Sequence, residues 1–156
     1  MESATIFTVN RSDQIDYVSK QLPSAAGLLA RLLVRQLGGE LSRTEVGLLN
    51  TLSGGPRRIT ELAELEGLAQ PTMTSLVKAL EQQGLVRRDR QVDDGRVVLV
   101  HLTDSGAAAL EDYLARVREL LGRNLAGISD EQVEALAGAT DALAQLVALL
   151  QQPPGR

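Results

Sequence analysis

The chain has 156 residues, a formal net charge of −4, 44% hydrophobic residues and 2% aromatic ones. That length suits one domain, or one protomer of an oligomer, with a real core; Phe7, Tyr17 and Tyr113 are the whole aromatic set, so Leu, Ala and Val must carry the packing. The absence of cysteine excludes disulfides, thiol redox sensing and cysteine metal sites, and a single histidine, His101, would leave a transition-metal site to carboxylates.

No metal and no cofactor are therefore expected. No apolar run is expected to approach the roughly 20 residues that span a bilayer. The N-terminus MESATIFTVN lacks the basic start and apolar stretch of a signal peptide. A cytoplasmic protein without a membrane partner is the default expectation.

Residues 1–12 read as a tail in which Ile6, Phe7 and Val9 are available to pack on a partner. From Asp13 to Gly38 the pattern is helical. Leu22, Ala25, Ala26, Leu29, Leu32, Leu33 and Leu37 recur at three- and four-residue steps. Pro23 predicts a helix that is kinked or in two parts. Ser42 and Glu45 form a capping box that opens a helix through about Leu52, burying Val46, Leu49 and Leu52. Ser53-Gly54-Gly55-Pro56 is a loop.

The next helix covers about Ile59 to Glu66, with Leu62, Ala63 and Leu65 inward, and Gly67 closes it. A second helix runs from about Gln70 to Gln83. Met73, Leu76, Val77 and Leu80 make its apolar face, Thr72, Thr74, Ser75 and Lys78 lie away from it, and Gly84 stops it. Leu85 to Arg90 and Arg96 to Leu102 are strand-like, joined by the hairpin signal Asp94-Gly95. Thr103-Asp104-Ser105 caps a long helix to about residue 125. Ser129 and Gln132 form a second capping box before a last helix, which Pro153-Pro154 ends.

Helix, tight turn, helix and β-ribbon in this order make a winged helix-turn-helix, and DNA binding is the leading reading. Within 57–100 the bases Arg57, Arg58, Lys78, Arg87, Arg88, Arg90 and Arg96 balance the acids Glu61, Glu64, Glu66, Glu81, Asp89, Asp93 and Asp94, so the rest of the chain carries the whole −4. The fold class expected is mainly α with a small β-wing. A helix-turn-helix lobe over 42–103 is flanked by an N-terminal dimerisation segment over 1–41 and by C-terminal dimerisation helices over 104–152, with 153–156 as a tail. The leucine- and alanine-rich outer helices either form a dimer core or cap the monomer; a short DNA-reading domain needs two copies for affinity and register, which favours the dimer.

In this geometry the N-terminal half of the second helix faces base edges in the major groove. Gln70 and Pro71 open it, and Gln70 can pair with adenine. Thr72 and Thr74 suit a thymine methyl or a phosphate, Ser75 a phosphate, and Lys78 a backbone phosphate. The bland alternative is a solvated polar face. Arg88 and Arg90 suit phosphate contact or an intramolecular ion pair. Arg57 and Arg58 clamp phosphate or decorate a solvated loop. Ser42 and Thr44 can donate to phosphate at a helix N-terminus, although capping already explains Ser42. His101 is a pH sensor or a plain strand-end histidine, Tyr17 and Tyr113 line a ligand cavity or pack in the core or dimer, and Arg31 and Arg35 meet an anionic ligand or solvent.

The strings LSRTEVGLLNTL, ITELAELEGLAQPTMTSLVKALEQQGLVRR and DDGRVVLVHLTDSG, in this order between long helices, resemble the multiple antibiotic resistance regulator (MarR) family over nearly the whole chain. The resemblance implies a homodimer on double-stranded DNA with a winged-helix lobe on each side. It implies repression at a near-palindromic operator, and release by a small aromatic or phenolic ligand whose binding residues stay unknown. It also implies that Arg96 is the wing-tip arginine for the minor groove, with Asp94 orienting it. Ala69 and Gln70 depart from the family, which often has a serine and a basic residue at these positions. An enzyme is not expected, because no phosphate loop, activated nucleophile or carboxylate pair is present. The alternative is a winged-helix protein that works through a protein partner or binds DNA without ligand response.

Overall fold

The computed structural model describes residues 10–39, 41–90 and 98–151. Among them, six helices and three strands follow in order: α1 (Arg11–Leu37), α2 (Arg43–Ser53), β1 (Arg57–Arg58), α3 (Ile59–Leu65), α4 (Gln70–Gln82), β2 (Val86–Arg90), β3 (Val98–Leu102), α5 (Asp104–Leu125) and α6 (Asp130–Leu150). The chain divides into two compact units, Met1–Glu111 and Asp112–Arg156, and α5 passes from one to the other.

The first unit holds the core. Leu48, Leu49, Leu62, Met73, Val77, Leu80, Val86 and Val100 are its largest fully buried side chains, contributed by α2, α3, α4, β2 and β3. Each such side chain contributes about 1.5–3 kcal/mol by leaving water. Local signals set the helix ends. Ser42 accepts from the Glu45 N–H at 3.3 Å while Glu45 accepts from the Ser42 N–H at 2.7 Å, which is the reciprocal box expected of serine and glutamate three apart. Gly67 (φ 64°) and Gly84 (φ 74°) take the left-handed conformation that ends α3 and α4. Glu66, between α3 and α4, accepts from the Thr51 hydroxyl at 2.8 Å, tying the helix-turn-helix corner to α2.

The sheet order is β1-β3-β2, antiparallel throughout. Val86, Arg88, Leu102 and Val100 lie on one face, with Arg57 opposite Val100; Arg87, Asp89, His101 and Leu99 lie on the other, with Arg58 opposite Leu99. The start of α5 is fastened to this sheet. Thr103 donates its N–H to the Leu85 carbonyl at 3.1 Å and its hydroxyl to the Gly84 carbonyl at 2.7 Å, and its hydroxyl oxygen accepts from the Gly106 N–H at 3.0 Å.

Three expectations are corrected and one is narrowed. Arg57 and Arg58 do not lie in a loop after Pro56, because they form the edge strand β1. Leu65 does not point inward: it is 58% exposed, at the last turn of a seven-residue helix. Of the two forms expected at Pro23, the two-part helix is excluded, since α1 runs as one α-helix from Arg11 to Leu37 with the proline inside. The cost is the N–H that would have met the Ser19 carbonyl. Finally, α6 is long and apolar enough to cross a membrane by length and composition, because its alanines, leucines and valines outweigh Glu134 and Asp141.

In the second unit Ser129 and Gln132 form the expected capping box on α6. No residue of α6 is buried, and Leu136, Leu143, Leu146, Val147, Leu149 and Leu150 are exposed. In the first unit α1 likewise has no buried residue, and Ile15, Tyr17, Val18, Leu28 and Leu29 are exposed.

Candidate nucleic-acid interface

Helix α4 presents two faces. Met73, Val77 and Leu80 are buried, whereas Gln70, Pro71, Thr72, Thr74, Ser75 and Lys78 are all exposed. The division follows the 3.6-residue period: the three buried positions are four and three residues apart. Its N-cap, Ala69, has the extended backbone of a cap (φ −65°, ψ 141°) but no side chain to accept a bond. The first helical bond is from the Met73 N–H to the Ala69 carbonyl at 3.0 Å. The N–H groups of Gln70 and Thr72 precede it and have no partner within the helix, and Pro71 brings none. This end of α4 therefore has a partial positive charge that suits an anion.

The hydroxyls on that face are partly engaged. Thr74 donates to the Gln70 carbonyl at 2.9 Å and Ser75 to the Pro71 carbonyl at 3.1 Å. A phosphate only accepts, so each hydroxyl must give up its backbone bond to reach one, while the Thr74 methyl is available for apolar contact without such a change. Lys78 takes part in no ion pair among the described residues and keeps its charge exposed.

On the ribbon, the structure contains the intramolecular alternative for Arg88. Its Nε donates to Glu81 Oε2 at 2.9 Å, a second guanidinium nitrogen reaches the same oxygen, and its backbone N–H donates to Glu81 Oε1 at 3.2 Å. These bonds hold the Glu81 carboxyl below its usual range and push the Arg88 guanidinium up. Arg90 ends β2 opposite Val98. On the other face Arg87 pairs with Asp89, and His101 Nε2 lies 3.5 Å from the same carboxylate. His101 is nevertheless lowered, by burial first and by the Arg87 charge second. Arg87 already neutralises Asp89, so the carboxylate does little to favour a second cation.

Arg57 and Arg58 reach the same sheet through β1. Arg57 donates to the Pro56 carbonyl at 3.1 Å, and the Arg58 N–H donates to Glu61 at 3.1 Å. Ser42 is exposed and engaged in its cap, and Thr44 is exposed in the first turn of α2. Asp94 and Arg96 lie outside the described residues. Thr103 caps α5 as expected, accepting from the Gly106 N–H; sequence reasoning missed the roles of Glu81, Asp89 and Gly106, and the signal available was the short spacing of Glu81 and Arg88 across the Gly84 stop.

Comparison with known proteins agrees with this layout. A model of the MarR family matches residues 41–98. An uncharacterized HTH-type transcriptional regulator of Mycobacterium bovis is 30% identical over 133 residues, covering 81% of this chain and 93% of the relative. The HTH-type transcriptional repressor MdtR of Bacillus subtilis is 31% identical over 91 residues, 58% of this chain and 59% of its own length. FabT of Streptococcus pneumoniae, solved in complex with DNA, shares the fold at a TM-score of 0.63 and 20% identity, covering 87% of this chain and 99% of that one.

Proposed function

The chain belongs to the MarR family and is a DNA-binding transcription regulator, not an enzyme, and we propose that it works as a cytoplasmic homodimer that represses from a near-palindromic operator. The observation that carries the reading is the exposed polar face of α4, from Gln70 to Lys78, over a fully buried apolar one. Gln70, Pro71, Thr72 and Thr74 enter the major groove, with Ser75 and Lys78 at phosphates. Arg96, oriented by Asp94, enters the minor groove, which suits an arginine because narrow grooves concentrate negative potential. Arg90, Arg57, Arg58 and Thr44 supply weaker phosphate contacts. Ser42 belongs to its helix cap first, and Arg88 is spoken for by Glu81.

The dimer is supported by the apolar side chains that α1 and α6 leave in water, since such surfaces mark places where another chain packs. Helix α6 suits a partner helix better than a lipid bilayer. Asp141 sits at its middle, where an acid costs about 2.5–3.5 kcal/mol in lipid, and Asp130, Glu131 and Glu134 crowd its first turns. Two lobes must then place their helices about 34–36 Å apart, one duplex turn. A small aromatic or phenolic ligand releases DNA by binding one lobe spacing better than the other.

The reading is tested by selecting bound fragments from genomic DNA and measuring the mass of the free protein by light scattering. Enriched fragments with a two-fold symmetric element and a dimeric mass are expected. A monomer at micromolar concentration, or no enrichment, contradicts it.

A further inference from the structure

We propose that Glu81, an acid on the DNA-reading helix, is a positioning residue for operator binding: it grips Arg88 and so sets the direction in which the wing leaves α4. The inference rests on the proposed minor-groove role of the wing.

The geometry is specific. Helix α4 ends at Gln82, and the chain reverses through Gly84 with the Gly84 N–H on the Glu81 carbonyl at 3.0 Å and the Leu85 N–H on the Leu80 carbonyl at 2.9 Å. Across that reversal the Glu81 carboxylate takes three donors from one residue of β2: the Arg88 backbone N–H, its Nε and its terminal nitrogen. A backbone donor fixes the strand, and a forked side chain fixes the angle. Arg88 lies opposite Val100 on the face of the sheet that carries the core, two residues before the end of β2. From that end the chain runs through residues 91–97 to β3, so the direction of β2 sets where this connection starts relative to α4.

Stability is a poor explanation for the pair. The two side chains are 32% and 37% exposed, and pairs that meet water contribute little to folding. Leu80, Val86 and Val100 already hold helix to sheet. Charge alone argues the opposite way from this proposal. Removing an acid near DNA lowers repulsion, so an unengaged Glu81 would weaken binding by its presence. A positioning Glu81 strengthens it.

The test uses the full chain and a DNA fragment selected by it, with Glu81→Gln, Arg88→Lys, Arg96→Ala and the Glu81→Gln/Arg96→Ala double variant, by mobility shift and thermal melting. Arg96→Ala is expected to weaken binding about tenfold and Glu81→Gln about fivefold, with the double variant no weaker than Arg96→Ala alone. Arg88→Lys keeps the charge and loses the fork, so it is expected to weaken binding as Glu81→Gln does, whereas a phosphate contact would survive it. Melting temperatures should stay close to wild type. Unchanged or tighter binding by Glu81→Gln, with Arg96→Ala still weakened, overturns the positioning role and leaves the wing reading standing. Losses that multiply in the double variant, or that follow a fall in melting temperature, also overturn it. Unchanged binding by Arg96→Ala overturns the wing reading and this inference with it.

Discussion

Gly106 passes directly against the carbonyl of Leu85: a Cβ at residue 106 would lie 2.0 Å from that oxygen and 2.8 Å from Leu102 Cδ1. The oxygen is backbone and also accepts from Thr103, so it is held in place. Gly106→Ala is therefore expected to destabilise the lobe by about 3 kcal/mol, the upper part of the range for overpacking a tight core. Chemical denaturation measures it, and a loss under about 1 kcal/mol would mean that α5 can shift away from Leu85 at little cost.

Ala69 has a cap's backbone without a cap's side chain. Ala69→Ser supplies an oxygen for the N–H of Thr72, two residues beyond the first helical position, and should stabilise the protein by about 1 kcal/mol. A higher melting temperature than wild type checks this. No change would mean that the hydroxyl does not reach the first turn of α4.

His101 and Glu81 bear on the pH dependence of stability in separate windows. Burial and the Arg87 charge lower His101 from its ordinary 6.5, so the unfolded chain takes up that proton first. Stability is unaffected by His101 above 6.5 and falls as pH drops below it. Glu81, lowered from 4.5 by its bonds to Arg88, contributes only a small stability above 4.5, lost as pH falls through its folded value, because the pair meets water. His101→Gln should therefore lose less stability than wild type between pH 7.5 and pH 5.5 in urea titrations. Equal losses would remove His101 from the acid response.

Lys78 is exposed on α4 one turn after Thr74. Lys78→Ala should lower the slope of log affinity against log salt by about one unit, the value of one neutralised phosphate. An unchanged slope would take Lys78 off the DNA backbone.

The parts of the fold legible in the sequence are those written by near neighbours. Ser42 with Glu45, and Ser129 with Gln132, announce their helices because each box closes within three residues. Gly67 and Gly84 mark ends because the left-handed turn favours glycine. The polar face of α4 was legible for the same reason, since helical spacing sorts its residues without reference to the rest of the chain. What the sequence hid depends on distant partners. Arg57 and Arg58 are a strand only because Val100 and Leu99 lie beside them, some forty residues later. Arg88 looked equally suited to phosphate or to an ion pair, and the choice rests on how the chain reverses at Gly84. Pro23 leaves a kinked helix and a two-part helix both open in the sequence, because a proline's local cost is visible there and the support of the rest of α1 is not. The length of the apolar stretch in α6 is hidden in the sequence because Glu134 and Asp141 interrupt it while leaving its mean character apolar.

We propose that the exposed face of α4, presented by two copies, reads the operator. The most direct measurement is a quantitative mobility shift of wild type and of the Gln70→Ala/Thr74→Ala variant on one selected fragment and on an unrelated duplex. Wild type should saturate the selected fragment at two protomers per site. The variant should lose at least about tenfold in affinity there and bind the unrelated duplex as wild type does. Equal binding of both proteins to the selected fragment would contradict the account.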